Sequence, residues 1–582
     1  MNDCEGPASG FVAGLIALCG RWRAPFAALT VAFAAWLCVS PAPAAAADCA
    51  SLSRLMLKDT TITSITITPA ADPVPEYCKV DGEIRNLPHS TIHFQIGLPT
   101  TKWNGKYLLA GGGGFNGFMP KLDQGLAEGY ATIGSDTGHV GKDMGLRGGV
   151  AADASWALDN LDAQNNYAYL ATHVVALLGK QIVRAFYGQH ERRSYYEGCS
   201  NGGKMGLMEV QRYPNDFDGV ISGDPVIDRT KLMISYTWNE QALAAAPIPP
   251  SKIPAIAKAT MAACRESGGA INGVIMTPGR CRFDPQTIVC KSGDGPNCLT
   301  PAQVTALQKI FRGPVNSAGM RIFPGFPPGH EGEDYEERIT GDGKQSGWPA
   351  FQWAMQDNFM KYFVFGPSYD PVKQFNFDRD LAALVPLAIT QDGASPNLSE
   401  FKAHGGKFII YNGWADHSIT PIRSIEYYAE VIDAMGGRGD APGEVNVAAV
   451  SDFFRLFMEP GMHHCRGGPG PDSFNGANQG FPPTADAQHD VLMALDRWVE
   501  DGVAPEKIIA SRLTNGKVDR TLPMCPYPQI AVYNGAGDAN LAESYHCEDR
   551  DFWWSVAAIS GVKNPSSGKT PAQEQGLRRS GR

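Results

Sequence analysis

The sequence predicts an α/β protein: a mostly parallel sheet with helices on both faces, interrupted by one long insertion. Three observations carry this reading. Short apolar strands alternate with helical segments along most of the chain, the rhythm of parallel strands joined by helical crossovers. The segment from Ile227 to Asn397 breaks that rhythm and is rich in Pro, Gly, Trp and Phe. Ser200 lies between glycines at a strand-to-helix junction, where a sharp turn lifts a hydroxyl above such a sheet.

The first element is a leader. Arg21 and Arg23 precede an apolar run from Ala24 to Val39, followed by Pro41-Ala42-Pro43 and alanines up to Ala47. A charged flank, an apolar core and small residues at the end are the parts of a removable secretory signal, so residues 1–47 are expected to be cleaved. The run is short against the roughly 20 residues a membrane span needs, so no membrane association is expected after cleavage. Of 13 cysteines, Cys4, Cys19 and Cys38 fall in the leader; the ten that remain are an even number, suited to five disulfides in a secreted or periplasmic chain. No C-x-x-C pair occurs, which argues against a zinc site. A net charge of −10 excludes nucleic acid as a partner, because phosphate binding needs a basic surface.

The stretch before Thr91 reads as loop-rich. Thr91 to Leu98 alternates Ile92, Phe94 and Ile96 against His93, Gln95 and Gly97, as a strand does. Lys106 to Ala110 is a strand that runs into Gly111-Gly112-Gly113-Gly114, and Ala131 to Ile133 is another. Tyr167 to Phe186 reads as an amphipathic helix with Tyr169, Val174, Leu177, Leu178 and Ile182 on its apolar face. Ser194 to Glu197 is a strand, Gly203 to Tyr213 a helix, and Val220-Ile221-Ser222 a strand ending at Gly223-Asp224. Lys407 to Tyr411 and Phe454 to Met458 are two more strands, and Asp486 to Val499 is a late helix. Residues 48–226 and 398–582 thus form the catalytic domain. Residues 227–397, with four of the ten cysteines, form an inserted lid domain.

Gly198-Cys199-Ser200-Asn201-Gly202 fits the G-x-S-x-G turn of a serine nucleophile. Such a serine needs a histidine base and an acid to orient it, in the chain order Ser, Asp or Glu, His. Asp416 follows one late strand and His464 the next, in loops at strand ends, where active sites of parallel sheets lie. Placement alone leaves His463 as good a base as His464, and His417 adjoins Asp416. The cysteines separate the two: Cys199 precedes the serine and Cys465 follows His464. A disulfide between them requires alpha carbons within about 7 Å, which makes Ser200 and His464 neighbours. The oxyanion donors are expected from the backbone N–H of Asn201 and from the Gly111–Gly114 loop, where glycine lets an amide approach a ligand.

These residues resemble the tannase and feruloyl esterase family. The motifs that carry the likeness are Gly-Cys-Ser-Asn-Gly-Gly at 198–203, Gly-Trp-Ala-Asp at 413–416 and Pro-Gly-Met-His-His-Cys at 460–465, with further likeness at 313–319 and 525–529. The resemblance implies an α/β-hydrolase core with a lid inserted before the acid-bearing strand. It implies Ser200, Asp416 and His464 as the triad, with Gly114 and Asn201 as the oxyanion hole. It further implies the pairs Cys199–Cys465, Cys49–Cys78, Cys264–Cys281, Cys290–Cys298 and Cys525–Cys547. Members often bind calcium in the lid, yet here the loop from Arg265 to Val274 departs from the pattern. Arg265 and Gly268 stand where aspartates are expected, and Asn272 replaces a third. Calcium takes six to eight oxygens, usually with carboxylates among them, so no metal or other cofactor is expected.

The expected reaction is hydrolysis of a small aromatic ester through an acyl-enzyme, the acid being hydroxycinnamic or gallic, carried on a plant polysaccharide or polyphenol; the aromatic acid follows only from the resemblance. Trp348, Phe351, Trp353, Phe359 and Tyr362 serve either as an acyl-binding wall or as plain lid core. A terephthalate monoester needs a cation for its free carboxylate; Gln345 to Met360 has none, although Lys344 and Lys361 flank it. Acyl transfer to an alcohol is open to the same residues, whereas an intact Ser, Asp and His argue against a non-catalytic exported binding protein.

Overall fold

The computed structural model describes residues 48–342, 349–438 and 445–552. The leader, Lys344 and Trp348 lie outside the described residues. Nine strands form one sheet: β1 (Thr60–Thr68), β2 (Tyr77–Leu87), β3 (Ser90–Pro99), β4 (Lys106–Ala110), β5 (Ala131–Ser135), β6 (Arg193–Cys199), β7 (Gly219–Gly223), β8 (Lys407–Gly413) and β9 (Phe454–Glu459). Their spatial order is β1-β2-β3-β5-β4-β6-β7-β8-β9. From β5 to β9 every neighbour is parallel. The chain thus steps outward from β4 in both directions, and the crevice at such a reversal opens at the carboxyl ends of the strands.

The other edge corrects the sequence reading. The loop-rich stretch before Thr91 instead supplies β1 and β2, antiparallel to each other, and β2 continues antiparallel onto β3. The Thr- and Ile-rich β1 has strong strand propensity. As an edge strand, however, it buries no residue fully, and Ile67 is exposed, so apolar residues do not alternate cleanly along it. Two further hairpins, Ile508–Thr514 with Lys517–Met524 and Ile530–Tyr533 with Tyr545–Glu548, were likewise not anticipated.

Helices cover the parallel half. The first long one, α1 (Ala171–Tyr187), follows a wide turn at Asn166–Leu170. It buries Val175, Leu178, Ile182, Val183 and Phe186 and leaves Leu177 exposed, so its buried face is rotated from the one expected. Next, α2 (Asn201–Arg212) begins immediately after Ser200. The late helix starts at Val491 rather than Asp486, because the Asp490 side chain caps the amide of Met493.

Between β7 and β8 no described residue adds a strand to the main sheet. It opens with α3 (Arg229–Ala245), and α4 (Phe351–Phe359) packs beside it. Asn239 Nδ2 donates to Gln352 Oε1 at 2.8 Å, and Gln352 Nε2 donates to the His417 carbonyl at 2.8 Å. The apolar core of this insertion is continuous with Phe115, Tyr167 and Ile419 of the flanking segments. Five disulfides cross-link the described residues: Cys49–Cys78, Cys199–Cys465, Cys264–Cys281, Cys290–Cys298 and Cys525–Cys547. No helix among the described residues is long and apolar enough to cross a membrane.

Candidate active site

Ser200 is the hinge between β6 and α2, with φ 65° and ψ −121°, a backbone region sparsely populated by residues other than glycine. The glycines around it make the turn possible. A Cβ on Gly198 would lie 2.7 Å from the Gly202 carbonyl carbon, and one on Gly202 would lie 2.9 Å from the Gly112 oxygen. Strand, helix and glycine loop therefore touch backbone to backbone.

Asp416 and His464 emerge from the ends of β8 and β9. His464 Nδ1 and Asp416 Oδ2 are 2.8 Å apart, and the carboxylate is fully buried. Its other oxygen accepts the amides of Ser418 and Ile419 at 2.7 and 2.8 Å, which aims Oδ2 at the imidazole. The Cys199–Cys465 bridge, with alpha carbons 6.0 Å apart, joins the residue before Ser200 to the residue after His464.

Asp224, at the end of β7, was missed by sequence reasoning; its only signal is the strand-end Gly-Asp-Pro. It is fully buried behind Asp416 and accepts from Asn412 Nδ2 at 2.8 Å, Gly413 N at 2.9 Å and Cys465 N at 3.0 Å. Burial, then the charge of Asp416, pushes its carboxyl well above the ordinary range. Asp224 thus ties the ends of β7 and β8 to the cystine loop.

The two extra histidines meet the insertion instead. His417 Nδ1 lies 2.5 Å from Asp334 Oδ1, and its Nε2 donates to the Gly329 carbonyl at 3.0 Å. His463 Nδ1 lies 3.7 Å from Asp334 Oδ2 and its Nε2 3.2 Å from Glu333 Oε2. Burial alone would raise the Asp334 carboxyl, but the charge and hydrogen bond of His417, with His463 and Arg338, bring it down to about 2. Burial alone would lower His417, and Asp334 outweighs it and raises the imidazole. The signs fix a stability window. The Asp334 contribution is present above its unfolded pKa near 4 and is lost as pH falls toward 2. The His417 contribution is present below its unfolded pKa near 6.5 and is lost as pH rises through its raised value. At pH 5–6, Asp334→Asn is expected to lower unfolding stability by about 2 kcal/mol, a difference that urea titrations should show closing as pH falls toward 2.

Asn201 follows the serine in the chain, and Tyr167 Oη, 3.0 Å from Asn201 Oδ1 and 2.9 Å from the Gly114 carbonyl, links it to Gly114. Gly114 has φ 57°, and a Cβ there would lie 2.4 Å from the Ala151 oxygen. Neither its N–H nor that of Asn201 finds an acceptor among the described residues, whereas the Gly114 carbonyl accepts from Tyr167 Oη at 2.9 Å.

Of the aromatic residues singled out in the insertion, Phe359 is completely buried and stacks on Phe115 and Phe363. Phe351, Trp353 and Tyr362 are partly exposed against the same cluster. Lys361 Nζ is 2.7 Å from Asp357. The loop after Cys264 does not fit calcium. Its carbonyls are engaged by guanidinium groups, Asn272 O by Arg520 at 2.9 Å and Gly268 O by Arg280 at 3.2 Å. Its one carboxylate, Glu266, is exposed.

A serine on this elbow, with a buried Asp paired to a His at the next strand ends, defines a carboxylic ester hydrolase of the α/β-hydrolase fold. Residues 78–548 match the family model described as Tannase and feruloyl esterase, and the chain belongs to that family. It is 36% identical to an uncharacterized esterase of Xanthomonas campestris pv. campestris, covering 87% of this chain and 92% of that protein. It is 30% identical to the mono(2-hydroxyethyl) terephthalate hydrolase of Piscinibacter sakaiensis, over 82% of this chain and 86% of that one. The crystal structure of feruloyl esterase B from Aspergillus oryzae superposes with a TM-score of 0.75 at 26% identity, covering 86% of this chain and 99% of that one.

Proposed function

We propose that the protein hydrolyses esters of aromatic carboxylic acids in an oxidising compartment, with Ser200 as nucleophile, His464 as base and Asp416 as the residue that orients the base. The observation that carries this reading is the cystine bridge. It joins the chain next to Ser200 to the chain next to His464, while Asp416 holds the far ring nitrogen of that histidine. In the proposed cycle Ser200 Oγ attacks the ester carbonyl as its proton passes to His464 Nε2. The tetrahedral oxyanion is received by the N–H groups of Gly114 and Asn201, His464 returns the proton to the leaving alcohol, and water releases the acid by the same steps reversed. Asp416 orients the imidazole and stabilises the imidazolium.

The aromatic acyl group rests on what the related proteins are named for, feruloyl and terephthaloyl esters. The aromatic faces of Phe351, Trp353 and Tyr362 on the insertion, read as a lid over residues 227–397, would suit a flat ring. A terephthalate monoester is ranked below a neutral ester because Lys361 is already paired with Asp357. Export is supported by five disulfides and by the leader-like N-terminus.

The test is a hydrolysis panel of methyl ferulate, methyl gallate, a terephthalate monoester and a simple alkyl ester. The two neutral aromatic esters are expected to show the highest kcat/KM. A preference for the alkyl ester would refute the aromatic assignment, and a preference for the terephthalate monoester would refute the ranking.

A further inference from the structure

The residue that opens the insertion is a cation in an unusual place. Arg229 is 1% exposed, yet both of its hydrogen-bond partners are neutral: Nη2 donates to Asn201 Oδ1 at 2.7 Å and to Tyr167 Oη at 2.9 Å. The adjacent carboxylate, Asp228, is taken by Arg423 and Lys231. The guanidinium lies 5.4 Å from the Phe115 ring centre and 6.0 Å from that of Tyr167. Nearby Lys204 is also buried, its Nζ 4.6 Å over the Tyr167 ring and without a hydrogen-bond partner among the described residues. Burial, then the charge of Arg229, pushes that amine well below its ordinary range, while a guanidinium keeps its charge in any protein environment. Burying a cation without an acid is costly, and its position relative to the nucleophile offers a compensating use.

The hydrogen bonds close on the two amides assigned to the oxyanion. Tyr167 accepts from Arg229 and lies 2.9 Å from the Gly114 carbonyl and 3.0 Å from Asn201 Oδ1. Asn201 Nδ2 donates to Asn116 Oδ1 at 2.9 Å, and the Asn116 amide donates to the Gly113 carbonyl at 2.9 Å. The Phe115 amide donates to Ala151 O at 3.0 Å. The carbonyls on both sides of the Gly114 N–H are therefore held, and so is the side chain of Asn201. The Gly114 N–H is thereby left with one direction in which to point, and the Asn201 N–H lies in the peptide whose Ser200 carbonyl accepts from the Lys204 and Val226 amides.

We propose that Arg229 and Tyr167 are positioning residues of the oxyanion hole, fixing the Gly114 and Asn201 amides together and placing one uncompensated positive charge behind the developing oxyanion. The proposal rests on the assignment of Ser200, Gly114 and Asn201 above. Neither residue touches the substrate; both act through the donors they hold. Their contribution belongs to the tetrahedral state and not to ground-state binding.

The test uses the full-length mature protein with Tyr167→Phe, Arg229→Met and Arg229→Lys. On methyl ferulate, kcat is expected to fall about 10-fold for Tyr167→Phe and about 100-fold for Arg229→Met, with KM within about twofold of wild type. Arg229→Lys should recover part of the loss. Affinity for an aryl boronate, which forms a tetrahedral adduct on the serine, should fall in step with kcat, whereas affinity for ferulate should not. A purely structural role would lower the thermal midpoint and leave boronate affinity unchanged. Folded Tyr167→Phe with wild-type kcat and boronate affinity overturns the proposal, and that near-isosteric variant decides the matter if Arg229→Met does not fold. Wild type inert on every ester and indistinguishable from Ser200→Ala would overturn the hydrolase reading itself. Wild type silenced by Ser200→Ala beside fully active Tyr167→Phe would overturn this inference alone.

Discussion

Ser200→Ala is expected to lower kcat on an aryl ester by on the order of 10⁵-fold without loss of fold. The residue sits at φ 65° and ψ −121°, a conformation that costs about 1–3 kcal/mol outside glycine. Three backbone hydrogen bonds hold it there: its N–H to Gly223 O at 2.9 Å, and its carbonyl from Lys204 N at 3.1 Å and Val226 N at 3.2 Å. None of these uses the hydroxyl, so alanine keeps the same turn and the same strain. Glycine would relieve the strain at some entropic cost in the unfolded chain. Ser200→Gly should therefore be the more stable of the two variants, by about 1 kcal/mol in urea titration, and equally inactive. Activity surviving in Ser200→Ala would remove the serine mechanism. Equal stability of the two variants would mean that the elbow stores no strain.

Much of this was legible in the sequence because its signals are local. Strand, turn and helix around Ser200 are read from adjacent residues, and the late strands before Asp416 and His464 are short apolar runs ending in polar loops. The aromatic run of the insertion divides in a way no pattern shows, with Phe359 buried in the shared core and Phe351 partly exposed. What escaped is set by distant partners. Asp224 finds its role through Gly413 and Cys465, 189 and 241 residues away. Arg229 belongs to none of the motifs the sequence offers, and only the fold takes it to Asn201. His417 and His463 are ambiguous in the chain because each adjoins a candidate triad member; Asp334 on the insertion engages both. Edge strand β1 was missed for the opposite reason, since half-exposed Thr and Ile give no contrast between faces.

Removing the Cys199–Cys465 bridge by a double alanine replacement is the second large effect expected. The bridge closes a separation of 266 residues, for which chain entropy alone gives a stabilisation on the order of 5 kcal/mol. The other four disulfides each span 29 residues or fewer, so none duplicates this closure. Activity should fall as well, though not to zero. The Cys465 N–H still reaches Asp224 at 3.0 Å, and Gln479 Nε2 still donates to the Cys465 carbonyl at 2.9 Å, so the base loop keeps two anchors. A displacement near 1 Å at His464 would cost about 100-fold in kcat, and that is the expected loss at temperatures where the variant remains folded. Removing Cys525–Cys547, which closes only 22 residues at a hairpin outside the sheet that carries Ser200, should lower stability and leave kcat within a few-fold. The decisive comparison is kcat in the two folded variants. If both keep it, the bridge only stabilises the fold; if only the Cys199–Cys465 variant loses it, the same bond that limits unfolding also sets the register of His464 against Ser200.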